Sequence, residues 1–338
     1  MSITPVIHRP DKLLKNIEDA TSRVDEFIFK FMNPREPKLL YDAANHIIRA
    51  GGKRLRPYLV LKCCELVGGD EGAALPFAAA VEILHTFTLI HDDIMDGDEL
   101  RRGVPTVHVK WGIPIGIAAG DLLFAKVYEA ILKRGSASPD TILRCLERLT
   151  DAAIAICEGQ ILDISYPSAA GVTEEDYLRM IGLKTATLFQ ASAEVGAIAG
   201  RGDDKMVGLL GEYAYNLGLS FQLVDDYLGL TSDEETLGKP VGSDLKEGKK
   251  TLIIIHANKM ASPSEWGVIG RILGDRYASK EDIEKARIIL EELGSIEYTL
   301  NRAREYAERA RRILENLPKT DAREELYRLT EFVVKRRT

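Results

Sequence analysis

Asp92, Asp93 and Asp96 interrupt an otherwise apolar stretch, VEILHTFTLIHDDIMDGDELRR (81–102), which runs on through Asp98 and Glu99 into Arg101 and Arg102. Residues four apart stack on one helix face, so the Asp92 and Asp96 carboxylates point the same way. Side by side they repel unless a cation lies between them. A hard divalent ion such as Mg2+ suits such a pair, because it keeps several waters and takes its remaining oxygens from substrate phosphates. An acidic helix end is ordinarily a solvated surface feature. Here the helix leading into it is almost wholly apolar and therefore reads as buried. A second acidic pair, Asp225 and Asp226, follows a similar apolar run in LGLSFQLVDDYLGL (217–230). Two such clusters far apart in sequence imply a cavity with carboxylates on opposite walls.

The elements that must position these groups are helices. Apolar residues recur at helical spacing along the chain, strand-like alternation is missing, and the expected class is all-α. Helices are expected over Pro10 to Phe31, from Leu39 to the Gly51-Gly52 break, over Arg56 to Val67 and over Ala73 to Met95. Others follow over Pro114 to Lys133 and Asp140 to Ile164, the last with Pro139 at its first turn. Thr173 with Asp176 and Ser279 with Asp282 read as capping boxes. From Lys280 onward the charge pattern predicts a solvated helix pair ending in the basic run Lys335-Arg336-Arg337. No linker or composition shift divides the 338 residues, so one large helical domain over 1–338 is expected.

Composition narrows the function. The chain is 45% hydrophobic and 29% charged, enough for a sizeable core, and its net charge of −7 gives a nucleic-acid partner no support. Cys63, Cys64, Cys145 and Cys157 lack metal-ligand spacing and fit small core residues of a reducing, cytoplasmic compartment. The N-terminus lacks the order of a signal peptide. No apolar run approaches the roughly 18 residues of a membrane span. Glu82 and His85 form a Glu-x-x-His pair of the kind found in di-iron bundles, but that site needs two such pairs and no other histidine has a glutamate three residues before it.

Six blocks in order, AGGKRLRP (50–57), HTFTLIHDDIMD (85–96), LRRGVPTVH (100–108), LKTATLF (183–189), FQLVDDYLG (221–229) and GKPVGSDLKEGKKT (238–251), resemble the signature blocks of trans-polyprenyl diphosphate synthases. Among these the archaeal-type short-chain enzymes, geranylgeranyl diphosphate synthases in particular, are the most similar. The resemblance implies the isoprenoid synthase fold, a single large helical bundle around a central cavity. It also implies a reaction: an allylic diphosphate ionises, isopentenyl diphosphate attacks the cation, and a proton leaves. Asp92 and Asp96 would bind two Mg2+ ions and Asp225 a third, with Asp93 and Asp226 as supporting or alternative ligands. Lys53, Arg56, His85 and Arg102 resemble the isopentenyl diphosphate pocket. Arg101, Lys184, Lys239 and Lys249 resemble the allylic diphosphate clamp, with Thr185 and Gln222 stabilising the cation and Gln160 and Asp163 lining the pocket. The second motif departs from the family's DDxxD, since Gly229 stands at its last position. A homodimer is implied, as are dimethylallyl, geranyl and farnesyl diphosphates as primers.

Product length follows from helix geometry. In the family the growing chain runs along the first-motif helix away from the metals. Counting back from Asp92, Phe87 lies about 7.5 Å up the helix, Leu84 about 12 Å and Val81 about 16 Å. A prenyl unit is roughly one helical turn long. Bulky Phe87 beside small Thr88 resembles the geranylgeranyl (C20) pattern, with farnesyl (C15) and geranylfarnesyl (C25) synthesis as the neighbouring alternatives. A silent partner subunit would be expected to lose motif residues, and only Gly229 fits that. A terpene cyclase would have no use for the GGKRLRP block or Arg102.

Overall fold

The computed structural model describes residues 11–134, 137–232 and 241–336. Its helices run α1 (Asp11–Phe31), α2 (Lys38–Arg49), α3 (Leu55–Leu66), α4 (Glu71–Asp96), α5 (Val107–Trp111), α6 (Ile113–Arg134), α7 (Pro139–Ser165) and α8 (Glu174–Ile181). They continue as α9 (Thr187–Ala199), α10 (Asp204–Thr231), α11 (Ser243–Lys246), α12 (Leu252–Met260) and α13 (Pro263–Ile272). The last three are α14 (Lys280–Glu292), α15 (Ser295–Glu315) and α16 (Asp321–Lys335). This is the all-α arrangement the periodicity predicts, and the expected helix ends hold to within a residue or two.

The two motif helices are the longest apolar ones, and each is fixed at its start by a side-chain cap. Asp70 accepts from the amides of Gly72 and Ala73 at the head of α4, and Asp203 accepts from Met206 at the head of α10. Such caps are worth about 1 kcal/mol each. α4 then packs between α3 and α6, while α10 packs against α9 and α15. Phe77, Ile83, Leu210 and Leu217 are wholly buried along these faces, each contributing about 1.5–3 kcal/mol of burial. Both capping boxes read from the sequence are formed, at Thr173–Asp176 and Ser279–Asp282, and Pro139 opens α7.

Three expectations are corrected. Strands are not wholly missing: Leu100–Arg101 pairs with Val104–Pro105 in an antiparallel hairpin. Arg102 and Gly103 form its two-residue turn, at φ 55 and φ 75, the positive-φ pattern that matches strand twist. The C-terminal part is three helices rather than two, since Gly294 at φ 68 separates α14 from α15. Nor are these helices merely solvated: Ala303, Leu314, Leu326 and Leu329 are buried. Lastly, α4 is long and apolar enough to cross a membrane by length and composition, which the count of uninterrupted apolar residues missed. In the fold 67% of its apolar window is buried inside the protein.

Candidate active site

Between α4 and α10 lies a cavity of about 550 Å³ that Asp92, Asp96, Gln222, Asp225 and Asp226 all line. The opposed carboxylate walls expected from the sequence are therefore present. On the α4 wall, Asp92 Oδ1 is buried and pairs with Lys184 Nζ at 3.1 Å. Burial works to raise the Asp92 pKa, but Lys184, Arg101 and Lys249 more than offset it and hold the carboxyl below its usual range. Asp96 moves the other way, raised by burial and by the Asp92 charge, with Lys249 Nζ at 3.4 Å opposing. The pair thus carries the mutual repulsion that a bound cation would relieve. Asp93 does not line the cavity. It is fully buried, accepts from Arg101 Nε at 2.7 Å and is pushed by burial up to about 6. It holds the guanidinium of Arg101, which itself lines the cavity.

On the α10 wall, Gln222 is locked at both ends. Its Oε1 accepts from the Thr185 hydroxyl at 2.9 Å and its Nε2 donates to Asp226 Oδ1 at 2.9 Å. Asp226 also accepts from the Tyr177 hydroxyl, and burial together with the Asp244 charge raises it to about 7. Asp225 faces outward into the cavity mouth, half exposed, and pairs with Arg336 at 3.2 Å. Arg336 lies over the Phe221 ring at 3.8 Å, so the end of α16 reaches the site. A Cβ at Gly229 would sit 3.5 Å from Asp244 Oδ2. The carboxylate missing from the second motif is thus matched by Asp244 arriving from α11.

Lys184 and Thr185 sit in a single π turn, Gly182–Ala186, between α8 and α9. Such turns interrupt helices at functional sites by re-aiming side chains. Lys184 Nζ reaches Asp163 Oδ2 at 2.6 Å as well as Asp92. What allows this is Gly159 on α7, where a Cβ would meet the Lys184 amide nitrogen at 2.4 Å. Gly159→Ala is therefore expected to displace the π turn, costing about 1–3 kcal/mol of stability and about 10²-fold in kcat. Thermal melts and steady-state rates would read both.

The cationic corner lies beside the first wall. Arg56 stacks on the Phe189 ring at 4.5 Å, and its terminal nitrogen donates to His85 Nε2 at 3.2 Å. Burial and the charges of Arg56 and Arg102 push the His85 pKa well down, which leaves a neutral ring free to accept that bond. Arg102 donates to the carbonyls of Ile47, at 3.2 Å, and Gly51. Burial lowers the Lys53 pKa, with Arg336 and Asp225 as its charged neighbours. Arg56, His85, Arg101, Gln160, Asp163, Lys184, Thr185 and Lys249 line the cavity, as do Phe87 and Thr88. Lys53, Arg102 and Leu84 do not; Leu84 is 1% exposed, in the core beneath. Lys239 lies outside the described residues, as do Pro10, Gly238 and Arg337. Sequence reasoning missed Tyr177, Asp244 and the reach of Arg336. The last had no local signal, being separated from Asp225 by 111 residues.

The donor set fits Mg2+. Among the described residues no three His, Cys, Asp or Glu groups converge on one point, so an all-protein cage is not formed. Mg2+ characteristically takes one or two carboxylates and completes its shell with water and phosphate oxygens. The Asp92 and Asp96 carboxylates, both lining the cavity from one helix face, are such a partial site.

A family model described as Polyprenyl synthetase matches residues 37–290. The chain belongs to the polyprenyl synthetase family. It is 44% identical over 326 residues to the short chain isoprenyl diphosphate synthase of Methanothermobacter thermautotrophicus, covering 96% of this chain and 98% of that one. It is likewise 44% identical to the geranylgeranyl diphosphate synthase of Saccharolobus solfataricus, over 89% of this chain and 91% of that one. The crystal structure of geranylgeranyl pyrophosphate synthetase from Pyrococcus horikoshii superposes with a TM-score of 0.90 at 42% identity, covering 96% and 98% of the two chains. This polyprenyl synthetase is accordingly a prenyltransferase with the all-α isoprenoid synthase fold. The family match covers all six blocks read from the sequence, and the structural likeness extends over nearly the whole chain.

Proposed function

We propose that this polyprenyl synthetase condenses isopentenyl diphosphate head to tail with allylic diphosphates, using Mg2+, and that geranylgeranyl diphosphate is its main product. The observation that carries the reading is the pairing of two carboxylate walls across an apolar cavity with a separate arginine corner beside one of them. A reaction that ionises one diphosphate and holds another in line needs both features. Lys184, Lys249 and Arg101 bind the allylic diphosphate, joined by Lys239. Mg2+ held by Asp92, Asp96 and Asp225 would neutralise the departing pyrophosphate as a Lewis acid. The Thr185–Gln222 pair turns oxygen dipoles toward the allylic carbon. Leu188, Phe221 and Ile156 line the wall and keep water from the cation. Lys53, Arg56, His85 and Arg102 hold isopentenyl diphosphate, and the departing pyrophosphate takes the proton lost after condensation.

The domain is read as one unit over 1–338, acting in the cytoplasm as a homodimer. Its cysteines are unpaired thiols, which suits a reducing compartment. Exposed Ile113 and Ile117 on α6, with Ile154 on α7, offer apolar surface for a second copy. The deciding experiment incubates the pure protein with labelled isopentenyl diphosphate and each of dimethylallyl, geranyl and farnesyl diphosphate, with Mg2+ or with EDTA. C20 product in Mg2+ alone is expected. No incorporation from any primer would overturn the reading, and a C15 or C25 main product would revise its length.

A further inference from the structure

Between Lys53 and Arg56 sits a third cation, Arg54, and it points away from the cavity. Its side chain is 2% exposed and its backbone holds the left-handed region at φ 49. Nε donates to Asp25 Oδ1 at 2.9 Å, one terminal nitrogen donates to the Ile48 carbonyl at 2.7 Å, and the other donates to Glu82. Glu82 is just as buried, in the middle of α4. The same Glu82 oxygen lies 3.9 Å from a terminal nitrogen of Arg102. Arg102 also has a positive φ, and its guanidinium lies where a Cβ on Gly52 would come within 2.6 Å of Cζ. Only three described non-glycine residues have positive φ, and two of them are in this corner. Strained backbone of this kind persists where its surroundings over-determine it, characteristically at ligand sites.

The electrostatics give the arrangement a purpose. Arg56 and Arg102 crowd together before any diphosphate arrives, and burial with Arg102 as a neighbour takes the Arg56 pKa down to about 10. A buried carboxylate offsets that crowding, but a free one would repel the incoming diphosphate. Tying Glu82 to Arg54 resolves the conflict.

We propose that Glu82 and Arg54 are the positioning pair of the isopentenyl diphosphate pocket. Glu82 fixes the hairpin carrying Arg102, Arg54 fixes the loop carrying Lys53 and Arg56, and neither touches substrate. The inference rests on the pocket assignment under Proposed function.

The test is two-substrate kinetics on Glu82→Gln, with Arg102→Ala as the reference and thermal melts on each. Glu82→Gln is expected to raise KM for isopentenyl diphosphate about tenfold, the worth of one charge-assisted contact, with KM for the allylic diphosphate unchanged. If Glu82→Gln leaves that KM alone while Arg102→Ala raises it, the positioning role is wrong and the pocket stands. If Arg102→Ala also leaves it alone, the pocket assignment itself falls. A loss of kcat alone, or an equal rise in both KM values, would mark Glu82 as merely structural and overturn the proposal. Should Glu82→Gln not fold because buried Arg54 then keeps Asp25 as its one carboxylate partner among the described residues, Glu82→Asp keeps the charge, shortens the reach and carries the same expectation.

Discussion

Asp92→Ala should lower kcat by about 10³-fold or more, since it removes a ligand from ions that stabilise the leaving group, while the helical fold stays intact. The second half of that expectation comes from the partners left behind. Lys184 retains Asp163 at 2.6 Å, so no cation is stranded in the interior. Asp96→Ala is similar, because Lys249 keeps Glu247 at 2.8 Å. Asp225 is a different case. Arg336 is 3% exposed, and without that carboxylate it keeps, among the described residues, the Phe221 carbonyl and ring. Asp225→Ala should therefore cost activity and also loosen the end of α16, by about 1–3 kcal/mol for an unpaired buried charge partner. Asp225→Asn separates the two effects, keeping an acceptor for Arg336 while weakening a metal ligand. Circular dichroism melts and single-turnover rates in Mg2+ would check all four variants. Wild-type turnover by Asp92→Ala would show that the metal assignment is wrong.

The main features were legible in the sequence because they are local. Capping residues, Pro139 and the helical period each act within a turn or two, and the Asp92–Asp96 spacing alone places both carboxylates on one face. What was not legible depends on contacts between distant segments. The hairpin that presents Arg101 and Arg102 has two-residue strands, too short for any alternation to register. The break at Gly294 is hidden because both flanking helices carry similar charge patterns. Arg54 sits among diphosphate-binding candidates, and only the fold shows it turned toward Asp25 and Glu82. Asp244 likewise stands near Gly229 only because α11 folds back over the end of α10. Glu82 read as half of a rejected metal pair, and three dimensions give it a partner of opposite charge.

Phe87→Ala should lengthen the main product by at least one C5 unit. Phe87 and Thr88 line the cavity, whereas Leu84 and Val81, one and two turns deeper on α4, are buried in the core and do not. On the helix face that carries Leu84 and Val81, the open space therefore ends at the level of Phe87. Its ring lies 4.8 Å from His91 and 5.2 Å from Phe124 on α6, centroid to centroid. A growing chain should therefore meet a layer of aromatic rings rather than a single blocking side chain. Removing Phe87 clears about one helical turn, ~5.4 Å, which is the length of one more prenyl unit. Phe124 then becomes the next obstacle, itself backed by Tyr128 at 5.3 Å. The single variant should consequently shift C20 to C25 and go little further, while Phe87→Ala with Phe124→Ala should continue to longer chains. Because Phe87 already faces open space, its loss should cost less than the 3–5 kcal/mol typical of a fully buried Phe→Ala change. Chromatography of dephosphorylated products reads the outcome directly. An unchanged C20 product from Phe87→Ala would remove that residue from the floor, and a double variant no longer than the single would remove Phe124.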